Sequence, residues 1–228
     1  MNDTAKEAPT NAWLLGATGL VGQSLLRQLS ASQQHGQVVA WVRKSGSVPS
    51  AAGVSSCVVN FEHTGQWPSG TVDTVYCCLG TTQKKAGSKA AFRQIDHDLV
   101  LALAHYAKAQ GCRHFLVITA LGADANSSNF YSRVKGEVEQ ALSKIGFEQL
   151  SIFRPSLLAG ERAEHRMAEQ IGLQLAQTFK FLIPTKYQAV HVDAVASAMR
   201  EASRRQVPGG KIYESDAIQT HYQNARHQ

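Results

Sequence analysis

A chain of 228 residues buries one substantial core and is too short for two full α/β domains, so a single domain is the default. Lys and Arg number 23 against 17 Asp and Glu, a net charge of +6 that suits anionic ligands. The basic residues come only as short pairs (Arg43-Lys44, Lys84-Lys85, Arg204-Arg205), with no aromatic-rich RNA-binding strand and no zinc-finger spacing, which argues against nucleic acid.

The first predicted element is a strand over Ala12 to Leu15, and it opens into the most informative segment of the chain. Trp13 to Gly22 reads Trp-Leu-Leu-Gly-Ala-Thr-Gly-Leu-Val-Gly, with glycines at Gly16, Gly19 and Gly22 ahead of a helix predicted over Leu20 to Ala31. GxxGxxG between a strand and a helix is the chemistry of a dinucleotide turn. Gly16 leaves the strand, Gly19 lets a pyrophosphate approach, and Gly22 admits close packing of helix on strand. The free N–H groups and positive dipole end of the helix, starting around Thr18, Leu20 and Val21, face the phosphates.

Strands follow over Gln37 to Val42, Ser56 to Val59, Val72 to Cys78, His114 to Thr119, Gln149 to Phe153 and Lys211 to Glu214. Helices are expected over Ala90 to Ala109, Tyr131 to Ile145, His165 to Phe179 and Val192 to Arg204, with Gly111 and Gly146 just past two of their ends. This alternation predicts an α/β fold, a doubly wound parallel-sheet Rossmann fold, with a core over about 12–160 and a small C-terminal substrate-side lobe over about 161–228. Polar residues gather where such a sheet places its ligand crevice: Gly16, Arg43, Asn60, Gly80-Thr81-Thr82, Thr119 and Arg154-Pro155-Ser156. Arg43 and Lys44 follow the second strand, where NAD-preferring enzymes carry an acidic residue on the ribose 2′-hydroxyl. Cations there suit a 2′-phosphate and favour NADP(H). Asn60 is placed to bond the adenine, and Leu79, Gly80, Thr81 and Thr82 to pass along the ribose and diphosphate, with Lys84-Lys85 facing solvent.

Cys57, Cys77, Cys78 and Cys112 lie in or beside apolar runs and read as reduced thiols. On a strand, Cys77 and Cys78 face opposite ways, and no metal site is expected. The N-terminal residues are polar and the apolar run after them is short and broken by glycine. A soluble, cytoplasmic protein without a membrane span is therefore expected.

Tyr131 and Lys135 stand four apart at a helix start and share one face. A phenol ordinarily titrates near about 10, and an adjacent ammonium favours its phenolate, so the pair suits proton exchange with a carbonyl or alcohol while a cofactor moves hydride. With the glycine loop upstream, the chain resembles the short-chain dehydrogenase/reductases, in the extended or atypical branch that carries GxxGxxG and YxxxK. Cys78-Leu79-Gly80-Thr81-Thr82, Gly87, Asp96, Gly122-Ala123-Asp124, Ser127 to Phe130 and Val134 to Glu139 are similar to the NmrA-related, Tat-interacting-protein-like oxidoreductases, over about Trp13 to Val195. The resemblance implies a single Rossmann domain binding NADPH. It also implies Tyr131 as proton donor, with Lys135 lowering its pKa and holding the nicotinamide ribose. The family's serine maps onto Ala120, leaving Thr119 as substitute orienter of the carbonyl. His191-Val192-Asp193 resembles a family element in which Asp193 is the N-cap of a helix, while Arg162 and Arg166 read as solvated or paired with Glu161, Glu164 or Glu169.

The leading expectation is an NADP(H)-dependent oxidoreductase on a small carbonyl or alcohol substrate. The alternative, which Ala120 favours, is a catalytically weak or inactive NADP(H)-sensing regulatory or interaction protein. The partners expected are a small-molecule substrate and a homodimer or a protein partner. Nucleotide-sugar epimerisation shares the loop and the Tyr/Lys pair, but the stretch after Gly160 is short for a sugar-nucleotide domain.

Overall fold

The computed structural model describes residues 10–32, 34–159, 184–205 and 207–226. In chain order the elements are β1 (Asn11–Leu15), α1 (Leu20–Ser32), β2 (Gln37–Val42), β3 (Val54–Val58), β4 (Thr74–Cys77), a short α2 (Gln83–Ala86) and α3 (Lys89–Arg93). A π turn (Gln94–Asp98) leads into α4 (Leu99–Ala109), followed by β5 (His114–Ile118), α5 (Phe130–Ser143), β6 (Gln149–Arg154) and β7 (Leu158–Ala159). The last elements are β8 (Val190–His191), α6 (Val192–Arg204), β9 (Gly209–Glu214) and α7 (Ser215–Arg226). Seven strands form one sheet in the order β3-β2-β1-β4-β5-β6-β9, every neighbouring pair parallel, and β7 and β8 form a separate parallel pair. This is the doubly wound Rossmann architecture.

Period-two alternation within each strand feeds two cores. Ala12, Leu14, Val38, Ala40, Tyr76, Leu116 and Phe153 face Leu25, Leu29, Val195 and Met199 of α1 and α6. Trp13, Leu15, Trp41, Val75, Phe115, Val117 and Ile152 face Leu103, Ala107, Val138 and Leu142 of α4 and α5. Central strands buried on both faces read as nearly unbroken apolar runs, which is why they were visible in the sequence. Cys77 joins the second core and Cys78 packs against the first, on opposite faces as expected, and burial pushes the Cys77 thiol up to about 12. Cys112 is buried and Cys57 half-buried, and all four cysteines are free thiols.

Two expectations change in detail, and a third falls outside the described residues. The predicted helix Ala90 to Ala109 is α3 and α4 with the π turn between them, so its register shifts midway. The N-cap of α6 is His191, whose side chain accepts from the Asp193 N–H. Asp193 instead sits in the first turn and accepts from Ser24 Oγ of α1, with Arg27 at 3.3 Å, which fastens α6 to α1. The predicted helix His165 to Phe179, with Arg162 and Arg166, lies outside the described residues.

Two buried histidines tie the fold together and make its stability depend on acid. His35 lies between the Thr10 hydroxyl and the Tyr76 hydroxyl, 2.8 Å from each, and Tyr76 donates on to Ser203 of α6. His114 lies 2.9 Å from Ser151 Oγ across β5 and β6. Burial pulls both imidazoles down to about 4. A depressed histidine is neutral in the fold while the unfolded chain takes up a proton from about pH 6.5 downward. Stability is therefore full above about pH 6.5 and falls towards pH 4, by up to about 3 kcal/mol per histidine. Urea melts at stepped pH should show this loss, and His114→Gln should flatten part of it.

Candidate functional site

The strand order reverses between β1 and β4, and the site is built in the crevice outside their C-terminal ends. β1 runs into Gly16, whose φ of 80° favours glycine; a Cβ there would stand 2.6 Å from the Cys78 carbonyl oxygen. The ends of β1 and β4 thus touch through a position that admits no side chain. The Gly19 N–H donates to the Gly16 carbonyl at 3.0 Å, closing the turn, and α1 starts at Leu20. A Cβ on Gly22 would lie 2.2 Å from the Gly16 oxygen, so its absence lets the first turn of α1 sit on the strand end. Thr18 and Gly19 are exposed and Val21 is buried. The opening N–H groups of α1 have no intrahelical acceptors and are available to an anion.

Arg43 and Lys44 are exposed at the end of β2, their side chains without partners among the described residues. Exposed Asn60, beyond β3, uses Oδ1 to accept from the Glu62 N–H at 3.0 Å, while its carbonyl accepts from Trp67 Nε1, so it shapes its own turn. Leu79, Gly80 and Thr81 lead from β4; Thr82 caps α2 by accepting from the Lys85 N–H, and Lys84 and Lys85 are exposed.

The stripe Tyr131, Lys135, Glu139 of α5 faces this crevice and the end of β5. Asn129 caps the helix through the Ser132 N–H, and Gly136 has no room for a Cβ, which would lie 2.1 Å from the Ala125 nitrogen. That contact pins the Tyr131–Lys135 turn to the preceding loop. The Tyr131 ring packs on Phe92, centroids 5.4 Å apart. Lys135 Nζ lies 2.7 Å from Asp96 Oδ1, both side chains buried, and the Thr81 N–H donates to Asp96 Oδ2 at 2.9 Å. A Cβ on Gly80 would stand 3.4 Å from that carboxylate and 3.9 Å from Lys135 Nζ. The glycine loop, the Leu79–Thr81 segment and the Tyr131/Lys135 pair therefore form one continuous surface.

Two features differ from expectation. Burial lifts the Tyr131 phenol above its ordinary value; Lys135 draws it down as expected, but less strongly, and Asp96 pushes it up again. Thr119 is buried and donates its hydroxyl to Glu139 Oε1 at 2.6 Å, while Glu139 in turn binds Arg154, which also reaches Glu214 at 2.9 Å. The charged group at this site that the sequence did not single out is Asp96, which entered there only as one residue of a family pattern. A surface cavity of about 400 Å³ lined by Arg93, His97, His105, Glu137, Gln140 and Lys144 includes none of the expected site residues. Among the described residues no helix is long and apolar enough to cross a membrane, and no group of three His, Cys, Asp or Glu is placed to hold a metal ion.

A glycine-lined turn at the switch point of a parallel sheet defines a dinucleotide-binding α/β protein. Residues 16–171 match the model of a family described as NAD(P)H-binding, and the chain belongs to that family, within the NmrA-like, atypical short-chain dehydrogenase/reductases. Among its relatives, protein HTATIP2 of Rattus norvegicus is 34% identical over 216 residues, 91% of this chain and 87% of the relative. The mitochondrial protein fmp52 of Emericella nidulans is 32% identical over 228 residues, 92% and 97% of the two chains. An oxidoreductase of the short chain dehydrogenase/reductase family from Burkholderia thailandensis has the same fold, with a TM-score of 0.70 and 17% identity over 97% of this chain and 98% of its own. A short chain dehydrogenase from Burkholderia cenocepacia, solved in complex with NADP, superposes with a TM-score of 0.65 and 14% identity over 96% and 93% of the two chains. The expected cytoplasmic placement is overturned by these relatives, since FMP52 proteins from several fungi are named as mitochondrial.

Proposed function

We propose that the chain is an NADP(H)-dependent oxidoreductase acting on a small carbonyl or alcohol. The observation that carries this reading is the continuity of the Gly16–Gly22 cradle with Tyr131 and Lys135 through Leu79–Thr81. The cradle fits a dinucleotide because Gly16 and Gly22 let the turn and α1 close on the strand ends, while Gly19 leaves the exposed side of the turn open to a diphosphate. Gly16, Thr18, Gly19, Leu20, Val21 and Gly22 would hold the diphosphate, Arg43 and Lys44 the 2′-phosphate, Asn60 the adenine, Leu79 to Thr82 the ribose side, and Lys135 the nicotinamide ribose. Bound NADPH supplies a hydride. Tyr131 holds at Oη the proton that neutralises the developing alkoxide, and in the reverse direction it takes that proton from the alcohol. In this reading residues 12–160 carry the cofactor half and the substrate side comes from the stretch after 161, part of which, α6 and β9, completes the core and the sheet.

NADP(H) preference rests on the two exposed cations after β2. Titration by nicotinamide fluorescence should give tighter binding of NADPH than of NADH. Replacing Arg43 and Lys44 together by alanine should weaken NADPH about tenfold to a hundredfold and leave NADH unchanged, the loss expected for charge-assisted hydrogen bonds. Equal affinities for the two nucleotides in the parent protein would remove the preference.

One observation favours the second reading, an NADP(H)-sensing regulatory protein: Ala120 holds the family's serine position and the neighbouring Thr119 hydroxyl is already donated to Glu139. A protein of that kind binds the cofactor, turns over no carbonyl in a broad panel, and captures partners only when NADP(H) is added.

A further inference from the structure

We propose that Asp96 is a positioning residue, clamping the Lys135 ammonium and the Gly80–Thr81 backbone together and setting how much of the ammonium's field reaches Tyr131. The inference rests on the reading of Tyr131 as proton donor. A buried carboxylate is costly unless charge and hydrogen bonds compensate it. Asp96, with a fully buried side chain, is compensated on one oxygen by Lys135 and on the other by the Thr81 N–H. Gly80 lines the enclosure, since even a Cβ there would stand in contact with both charges, 3.4 Å from Asp96 Oδ1 and 3.9 Å from Lys135 Nζ.

The π turn explains how the carboxylate arrives there. Residues four apart on a regular α-helix rotate progressively off a common face. The wider turn at Gln94–Asp98 keeps Phe92, Asp96 and Val100 buried together, so the residue below the Tyr131 ring and the carboxylate beside Lys135 come from one surface. Among the described residues the charges acting on the phenol are Lys135 on its own helix and Asp96 from the π turn, while α3 presents apolar Phe92 to its ring. Nearby Arg93 and Arg133 are engaged by Glu137. Burial holds the Tyr131 phenol above its ordinary value, and Asp96 adds to that by opposing the pull of Lys135.

The test is an ultraviolet titration of tyrosinate in the full-length chain and in Asp96→Asn. Each is subtracted from its Tyr131→Phe counterpart to isolate one of the six tyrosines, with circular dichroism to mark the folded range. Asp96→Asn should make the Tyr131 phenol about tenfold more acidic and move the pH profile of alcohol oxidation down with it. An unchanged phenol titration overturns the clamp, whatever the turnover. Turnover absent in every protein while the phenol still shifts sustains the clamp and overturns the oxidoreductase reading instead. Should the variant not fold, the parent chain still decides. Lys135 ammonium protons sealed against Asp96 exchange slowly enough to give a nitrogen–proton NMR signal distinct from exposed lysines, and absence of that signal overturns the proposal.

Discussion

Gly22→Ala is expected to lower the melting temperature by about 10 °C and to abolish NADP(H) binding, whereas Gly19→Ala should melt within a few degrees of the parent and lose only the cofactor. The motif gives the two positions different roles, and what surrounds each of them differs accordingly. A Cβ at Gly22 would lie 2.2 Å from the Gly16 carbonyl oxygen and 2.9 Å from the Ala17 Cα, all backbone, so α1 itself would have to lift from β1. Overpacking against rigid neighbours costs about 3 kcal/mol, and each kcal/mol is worth about 2–4 °C in a chain of this size. A Cβ at Gly19 would meet the same oxygen at 3.3 Å, a contact relieved by a shift of a few tenths of an ångström. It would occupy the exposed side of the turn, where a diphosphate has to approach, and NADPH affinity should fall at least tenfold. Thermal melts with and without NADPH separate the cases. A Gly19→Ala protein that binds NADPH normally would mean that the loop is scaffold; a Gly22→Ala protein as stable as the parent would contradict the helix–strand contact.

The sequence carried the cradle because its constraint is local: three glycines between an apolar strand and a helix encode a turn that only small residues can make. The strands were equally legible, since burial on both faces leaves Val38 to Val42 and Phe115 to Ile118 almost without polar residues. Tyr131 and Lys135 could be paired from their spacing alone, because residues four apart on a helix share a face. What the sequence hid depends on contacts far apart in the chain. Asp96 stands in the polar run Asp96-His97-Asp98, and nothing local tells which carboxylate is buried; the π turn and Lys135 decide it. Thr119 was expected to face a substrate, but its partner Glu139 comes from α5 and is held by Arg154 of β6. Asp193 has the composition of an N-cap, yet Ser24, 169 positions earlier, draws it onto α1. The cytoplasmic expectation failed for another reason: composition speaks to solubility, and two proteins of equal solubility can reside in different compartments.

Tyr131→Phe should reduce turnover by about a hundredfold to ten-thousandfold, the range for losing a positioned acid or base, while leaving NADPH affinity within about twofold. The split follows from the geometry. The ring lies against Phe92, and a phenyl group keeps that contact without leaving a buried polar atom unpaired, so the fold should be retained. The ammonium assigned to the ribose stays paired with Asp96, so cofactor binding should survive. The same separation is not available at Lys135, because removing it leaves the Asp96 carboxylate buried with only the Thr81 N–H to compensate it, and stability, binding and chemistry would change together. Steady-state rates on a carbonyl panel, read beside NADPH titrations of the same preparations, make the comparison. A Tyr131→Phe protein with parental turnover would place the proton donor elsewhere. The expected pattern, intact binding with lost turnover, assigns the proton to the tyrosine Oη, because that single oxygen is all the two proteins do not share.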